Sequence, residues 1–148
     1  MAFLNIAAIV CIGLLTGVEF SVSAFVNPVL ANLNRAERAD AIQRFAELGG
    51  KVMPLWYVLS FVFLIVEAAL HRGDWGFGWL IGATALWIVA ILLSVLVLVP
   101  INNRMAKVSA ETFTETAAEE HQRWDRWHRL RIAAIAAAFV SMLAAAVR

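Results

Sequence analysis

The side chains of this sequence able to do chemistry are few, and most lie within or beside apolar runs. Glu19 sits inside a run from Ala2 to Val26, His128 and Arg131 open a run that ends at Val147, and Asn102 and Asn103 follow Pro100 at the end of a third. A histidine can take a proton from a carbon or phenol acid while amide donors and a guanidinium stabilise the resulting enolate or phenolate. A carbanion of that kind reacts directly with dioxygen when the substrate is electron-rich enough. Tryptophan faces stack on flat aromatic molecules. His128, Asn103, Arg131 and Glu19 are therefore the catalytic candidates, and Trp124, Trp127, Asn102, Asn27 and Trp56 the substrate-binding set.

The elements that must position these groups follow from composition. Of the 148 residues, 62% are hydrophobic and 16% charged, which assigns the chain to the membrane class and to one domain, residues 1–148. Apolar runs predict an all-α, integral membrane four-helix bundle with spans at approximately 2–26, 52–70, 75–99 and 130–147. In the last, Leu130 extends the run from Ile132 and Arg131 snorkels, so that it approaches the roughly 20 residues a ~30 Å hydrocarbon core requires. Polar connections occupy 32–51 and 101–129. The first span carries Glu19, Asn27 and Pro28 where a leader would have a cleavage site, and reads as a retained helix.

Charge then orients the bundle. Arg35, Arg38, Arg44, Lys51, Arg104, Lys107, Arg123, Arg126, Arg129 and Arg131 lie in or beside the two polar connections, while Arg72 and Arg148 fall on the other face. By the positive-inside rule this places the connections in the cytoplasm and both termini outside, in a cell inner (cytoplasmic) membrane. Asn32 to Leu48 is expected to continue helically from the first span, lie at the membrane surface and stop at Gly49-Gly50. Thr116 to Glu119 fits a capping box, followed by acid-to-base pairs at Glu119/Arg123 and Asp125/Arg129. The first and fourth helices thus extend into the cytoplasm. Gly13/Gly17 and Gly78/Gly82 are Gly-x-x-x-Gly patterns that permit close helix approach and offer faces for a homo-oligomer.

Helical projection at ~100° per residue gathers Asn5, Thr16, Glu19, Ser23 and Asn27 within about 80°. Trp56, Ser60, Glu67 and His71 make a second stripe. His121, Trp124, Trp127, His128 and Arg131 make a third that continues into Ile135 and Met142, with Arg123, Arg126 and Arg129 turned away. At ~1.5 Å per residue, Glu19, Arg131 and Trp56 share a level ~22–25 Å from the outer ends, while Asn27, Asn102, Asn103, Trp124 and His128 form a layer nearer the cytoplasm. Ionisable groups within spans are functional candidates by default. Each also has a structural reading: Glu19 and Arg131 as a register-fixing ion pair, the tryptophans as interfacial anchors, and the asparagines as caps after Pro100.

Other chemistries are constrained by spacing. A metal could draw on Glu19, His121, His128 and Asp125, yet there is no His-Glu-x-x-His and no Glu-x-x-His pair. Bis-histidine haem is disfavoured because most of a bilayer separates His71 from His121 and His128. Cys11 is the only cysteine; it forms no internal disulfide and reads as a small core residue. Nothing suggests nucleic acid as a partner. The competing class is a non-enzymatic membrane protein, either a small proton-coupled transporter built on Glu19 or an accessory subunit; the charge bias argues against the dual topology of small multidrug exporters.

Val99-Pro100-Ile101-Asn102-Asn103, followed by Trp124-Asp125-Arg126-Trp127-His128-Arg129-Leu130-Arg131, resembles the small four-helix membrane family that includes the anthrone oxygenases. The resemblance matches Asn103, His128 and Arg131 to the family's recurring asparagine, histidine and arginine, and Trp124 or Trp127 to its tryptophan. It implies oxygenation of an anthrone-type or quinone-like lipophilic aromatic molecule, with O₂ and the bilayer as partners and without an obvious organic cofactor. The predicted topology is checked by alkaline phosphatase fusions in a bacterial host. Enzyme fused after Val147 is expected to be active outside the cytoplasm, and enzyme fused after Lys107 inactive; the reverse pattern would invert the bundle.

Overall fold

The computed structural model describes residues 2–147. Four helices run through them: α1 (Ala2–Ala31), α2 (Arg35–Leu70), α3 (Phe77–Met105) and α4 (Glu115–Ala146), each long and apolar enough to cross a membrane. Arg148, one of the two basic residues assigned to the outer face, lies outside the described residues. The connections at 32–34 and 106–114 lie at one end, which carries most of the basic residues and is called the basic end below. The tight turn at 71–76 and the described termini lie at the other.

Large apolar side chains cover the outside on every helix, among them Leu14, Leu55, Leu96 and Val140, all more than half exposed. Water would not tolerate so continuous an apolar surface, but acyl chains do. Inside, the bundle has two apolar cores. One, toward the tight turn, joins Ile12, Leu15, Leu64, Trp87, Ile135 and Met142. The other, toward the basic end, joins Leu30, Ile42, Ile101, Met105, Val108 and Phe113. A polar layer separates them.

Helix boundaries differ from the sequence expectation in two places. The chain breaks at residues 32–34 rather than running on from α1, and Asn34 restarts it by accepting a hydrogen bond from the Glu37 amide. α2 then passes unbroken through Gly49-Gly50 and Pro54. A helical glycine costs only ~1 kcal/mol relative to alanine. Once Asn34 has capped the helix, propagation into a span where unpaired backbone is untenable outweighs that cost. Likewise, α4 starts two residues earlier than the capping-box reading, with Thr114 accepting from the Ala117 amide. Asp125 pairs with Arg129, but Glu120, not Glu119, is the paired glutamate, and its partner is Arg104 on α3.

Two prolines shape α1 and α3. Before Pro28 and before Pro100 the helix widens into one π turn, at Val22–Val26 and Ser94–Leu98, with Asn27 N–H bonded to the Val22 carbonyl and Val99 N–H to that of Ser94. Proline donates no hydrogen bond, and its ring pushes on the carbonyl four residues earlier; a wide turn relieves both.

Within the chain, one glycine of the Gly-x-x-x-Gly patterns makes a close approach. A Cβ at Gly17, Gly78 or Gly82 would meet open space, and only Gly13 packs, against the Phe139 ring. A tighter approach is at Gly76, where a Cβ would lie 2.8 Å from the Ala145 carbonyl oxygen of α4. Gly76→Val is therefore expected to lower the melting temperature in detergent measurably, while Gly78→Val leaves it within error. Equal effects would show that Gly76 does not fix this packing.

Candidate functional site

The polar layer is built around one ion pair. Arg131 on α4 donates to Glu19 Oε2 on α1 at 2.7 Å, and the two residues are only 7% and 2% exposed. Neither charge is tolerable alone, because desolvation costs several kcal/mol per ion in a protein interior. Further partners surround the guanidinium. It donates to Ser94 Oγ at 3.0 Å and to His128 Nδ1 at 3.0 Å, and its Cζ stands 5.1 Å from the centre of the Tyr57 ring. All four helices contribute.

His128 is fully buried and committed on both nitrogens. A guanidinium only donates, so Nδ1 must accept from Arg131, and Nε2–H donates to the Glu19 carbonyl oxygen at 3.2 Å. The imidazole is thus neutral in one tautomer. The 3.4 Å gap between Nδ1 and Glu19 Oε2 is bridged by the same Arg131 amino group. Trp124 stacks on the imidazole, with centroids 4.5 Å apart and planes 15° from parallel.

Beside this cluster lies a cavity of about 280 Å³, near the lower limit of ~300–1,000 Å³ for small-molecule pockets. Glu19, Tyr57, Ser94 and Arg131 line its polar part, Trp124 supplies an aromatic wall, and Met53 and Leu98 contribute apolar surface. Glu19 Oε1, the Tyr57 hydroxyl and Arg131 Nε are buried without a hydrogen-bond partner. Unpaired buried polar atoms are rare and costly. Three of them gather at this one site.

The structure brings most of the candidates together around the cavity. Glu19 and Arg131 meet as the depth count predicts. Asn27, Asn102, Asn103 and His121 all line the cavity toward the basic end, where Asn27 donates to Asp125, Asn102 donates to the Ala46 carbonyl and Asn103 is exposed. His128 sits at the level of the ion pair and not in the deeper layer. Trp56 turns away and donates to the Cys11 carbonyl, and Trp127, half-buried, does not line the cavity. On α1 the inward stripe is Ala8, Ile12, Leu15, Glu19 and Val22, with Asn5, Thr16 and Ser23 only half-buried. Glu67, paired with His71, is buried toward the opposite end, away from this cluster. Among the described residues no three His, Cys, Asp or Glu side chains group as a metal would need.

Tyr57 and Ser94 are the site residues that the sequence reading missed. Tyr57, the only tyrosine in the chain, follows Trp56, and one residue of helix turns the side chain by ~100°. A polar atom within each span was the available signal.

Four apolar helices around a buried ion pair and an adjoining cavity define a multi-pass membrane protein. Residues 42–141 match the family described as anthrone oxygenase, and the chain belongs to that family. The match takes in Tyr57, Ser94, Asn102, Asn103, Trp124, His128 and Arg131, whereas Glu19 and Asn27 precede it. No curated protein and no solved structure matches the chain.

Removing one member of the pair strands the other. Arg131→Met is expected to cost about 3–5 kcal/mol, and the Glu19→Leu/Arg131→Met double variant to recover part of that loss, measured by unfolding in mixed micelles. A double variant less stable than the single one would show that the pair does not dominate this layer.

Proposed function

We propose that the protein is a membrane-embedded oxidoreductase that oxygenates a lipophilic aromatic molecule, an anthrone or quinone-like compound, on the cytoplasmic side of the inner membrane, with both termini outside. The observation that carries this reading is the set of unpartnered polar atoms, Glu19 Oε1, Tyr57 hydroxyl and Arg131 Nε, on residues that line a largely apolar cavity. Membership of the anthrone oxygenase family supports oxygenation as the reaction class.

In this mechanism the flat substrate lies against Trp124 with its carbonyl toward Tyr57 and Arg131. Glu19 Oε1 takes a proton from the activated CH₂ group, and the tyrosine hydroxyl and guanidinium stabilise the oxyanion of the enolate. Dioxygen then oxidises the carbanion. One oxygen atom becomes the new carbonyl and the other leaves as water, so that CH₂ plus O₂ gives C=O plus H₂O. The base is Glu19 and not His128, because both imidazole nitrogens are already engaged. His128 and Ser94 are positioning residues that hold Arg131 in place.

Oxygen consumption by the protein in liposomes with anthrone tests this. Wild-type protein is expected to consume O₂ and form anthraquinone. Glu19→Gln is expected to lower kcat by about 10²–10⁴-fold, and Tyr57→Phe by about 10²-fold. Undiminished turnover in Glu19→Gln would remove the carboxylate from the reaction. Proton-coupled cation flux without oxygen uptake would favour the transporter reading instead.

A further inference from the structure

The cavity is closed on two sides and open on one. Its lining residues from α1 and α4, including Glu19, Val22, Leu30 and Arg131, are buried or half-buried. Every exposed lining residue belongs to α2 or α3, as Pro54 and Val58 do on one side and Val95 and Val99 on the other. The opening therefore lies between these two helices, and its rim is mainly apolar.

Two hydrogen bonds bracket it. Toward the basic end, Asn102 on α3 donates to the Ala46 carbonyl of α2 at 2.9 Å. Toward the other end, Trp87 on α3 donates to the Tyr57 carbonyl of α2 at 3.2 Å. Among the described residues no hydrogen bond joins α2 to α3 between them, along roughly 16 Å of α2 axis at ~1.5 Å per residue. The backbone on both sides favours a gap. α3 carries its π turn there, at Ser94–Leu98, and α2 carries Gly49, Gly50 and Pro54. Gly49 lines the cavity, and a Cβ there would meet nothing within 4 Å.

We infer that this slot is a lateral portal through which a flat, uncharged aromatic molecule passes from the hydrocarbon phase into the cavity, with Gly49 and Val95 setting its width. The inference rests on the proposed function for the kind of molecule admitted, and on the helix geometry for the route. A solute dissolved among acyl chains meets an apolar rim and reaches Tyr57 and Glu19 without crossing the charged connections. A solute bearing a fixed charge would have to leave its hydration shell at that rim, and is excluded.

The test uses the full chain in phosphatidylcholine liposomes and a probe that needs no turnover, anthraquinone, whose capture is followed by stopped-flow quenching of Trp124, taken as the difference from Trp124→Phe. Gly49→Leu, which projects into open space and improves helix propensity, is expected to slow capture at least ten-fold, as is Val95→Phe. Val58→Ala is expected to speed it, Leu14→Phe on the exposed face of α1 to leave it unchanged, and anthraquinone-2-sulfonate to give no capture. Unchanged rates in both narrowed variants, or equally fast capture of the sulfonate, would overturn the portal. Absent oxygen uptake with capture still slowed by Gly49→Leu would refute the proposed chemistry while upholding the route; normal uptake with insensitive capture would refute the route alone.

Discussion

A carboxylate and a guanidinium held 2.7 Å apart inside an apolar bundle leave little freedom to what surrounds them. Neither can be hydrated, and either alone would be expelled or neutralised. The pair therefore locks the register of α1 against α4. It recruits what else the guanidinium needs: Ser94 from α3, the imidazole of His128 from one turn earlier on α4, and the Tyr57 ring from α2. Satisfying one buried cation fixes the relative rotation of all four helices.

The same constraint explains where the cavity lies. Two apolar cores pack above and below the polar layer, and the helices on either side of it are interrupted by proline-induced π turns. A wide turn moves side chains off the regular helical row, so neighbouring helices cannot interlock fully at that height. The space left over borders the ion pair, and three of the residues that line it carry a buried polar atom without a partner. Such an arrangement is poor for stability, since unpaired buried polar atoms cost free energy.

The basic end is held by a different set of contacts. Arg35 donates to the Phe113 carbonyl and Arg38 lies over the Phe113 ring, fastening the 106–114 connection to the start of α2. Asn27 reaches Asp125, and Arg104 reaches Glu120. These bonds close the bundle below the cavity and leave its side, between α2 and α3, as the open face.

Hydropathy and helical period, both local properties, determined the number of helices, the inward face of α4 from His121 through Met142, and the common depth of Glu19 and Arg131. Only the tertiary structure decided the rest. Whether Gly49-Gly50 ends a helix depends on the cap at Asn34 and on the apolar span beyond, which no short window contains. Whether Trp56 or Tyr57 faces the cavity is a single-residue rotation, settled by the hydrogen bonds from Trp56 to Cys11 and from Trp87 to the Tyr57 carbonyl. His128 looks like a free base in the sequence. In the structure a carbonyl on α1 and a guanidinium one turn away engage both its nitrogens, and one of those partners is distant in the chain.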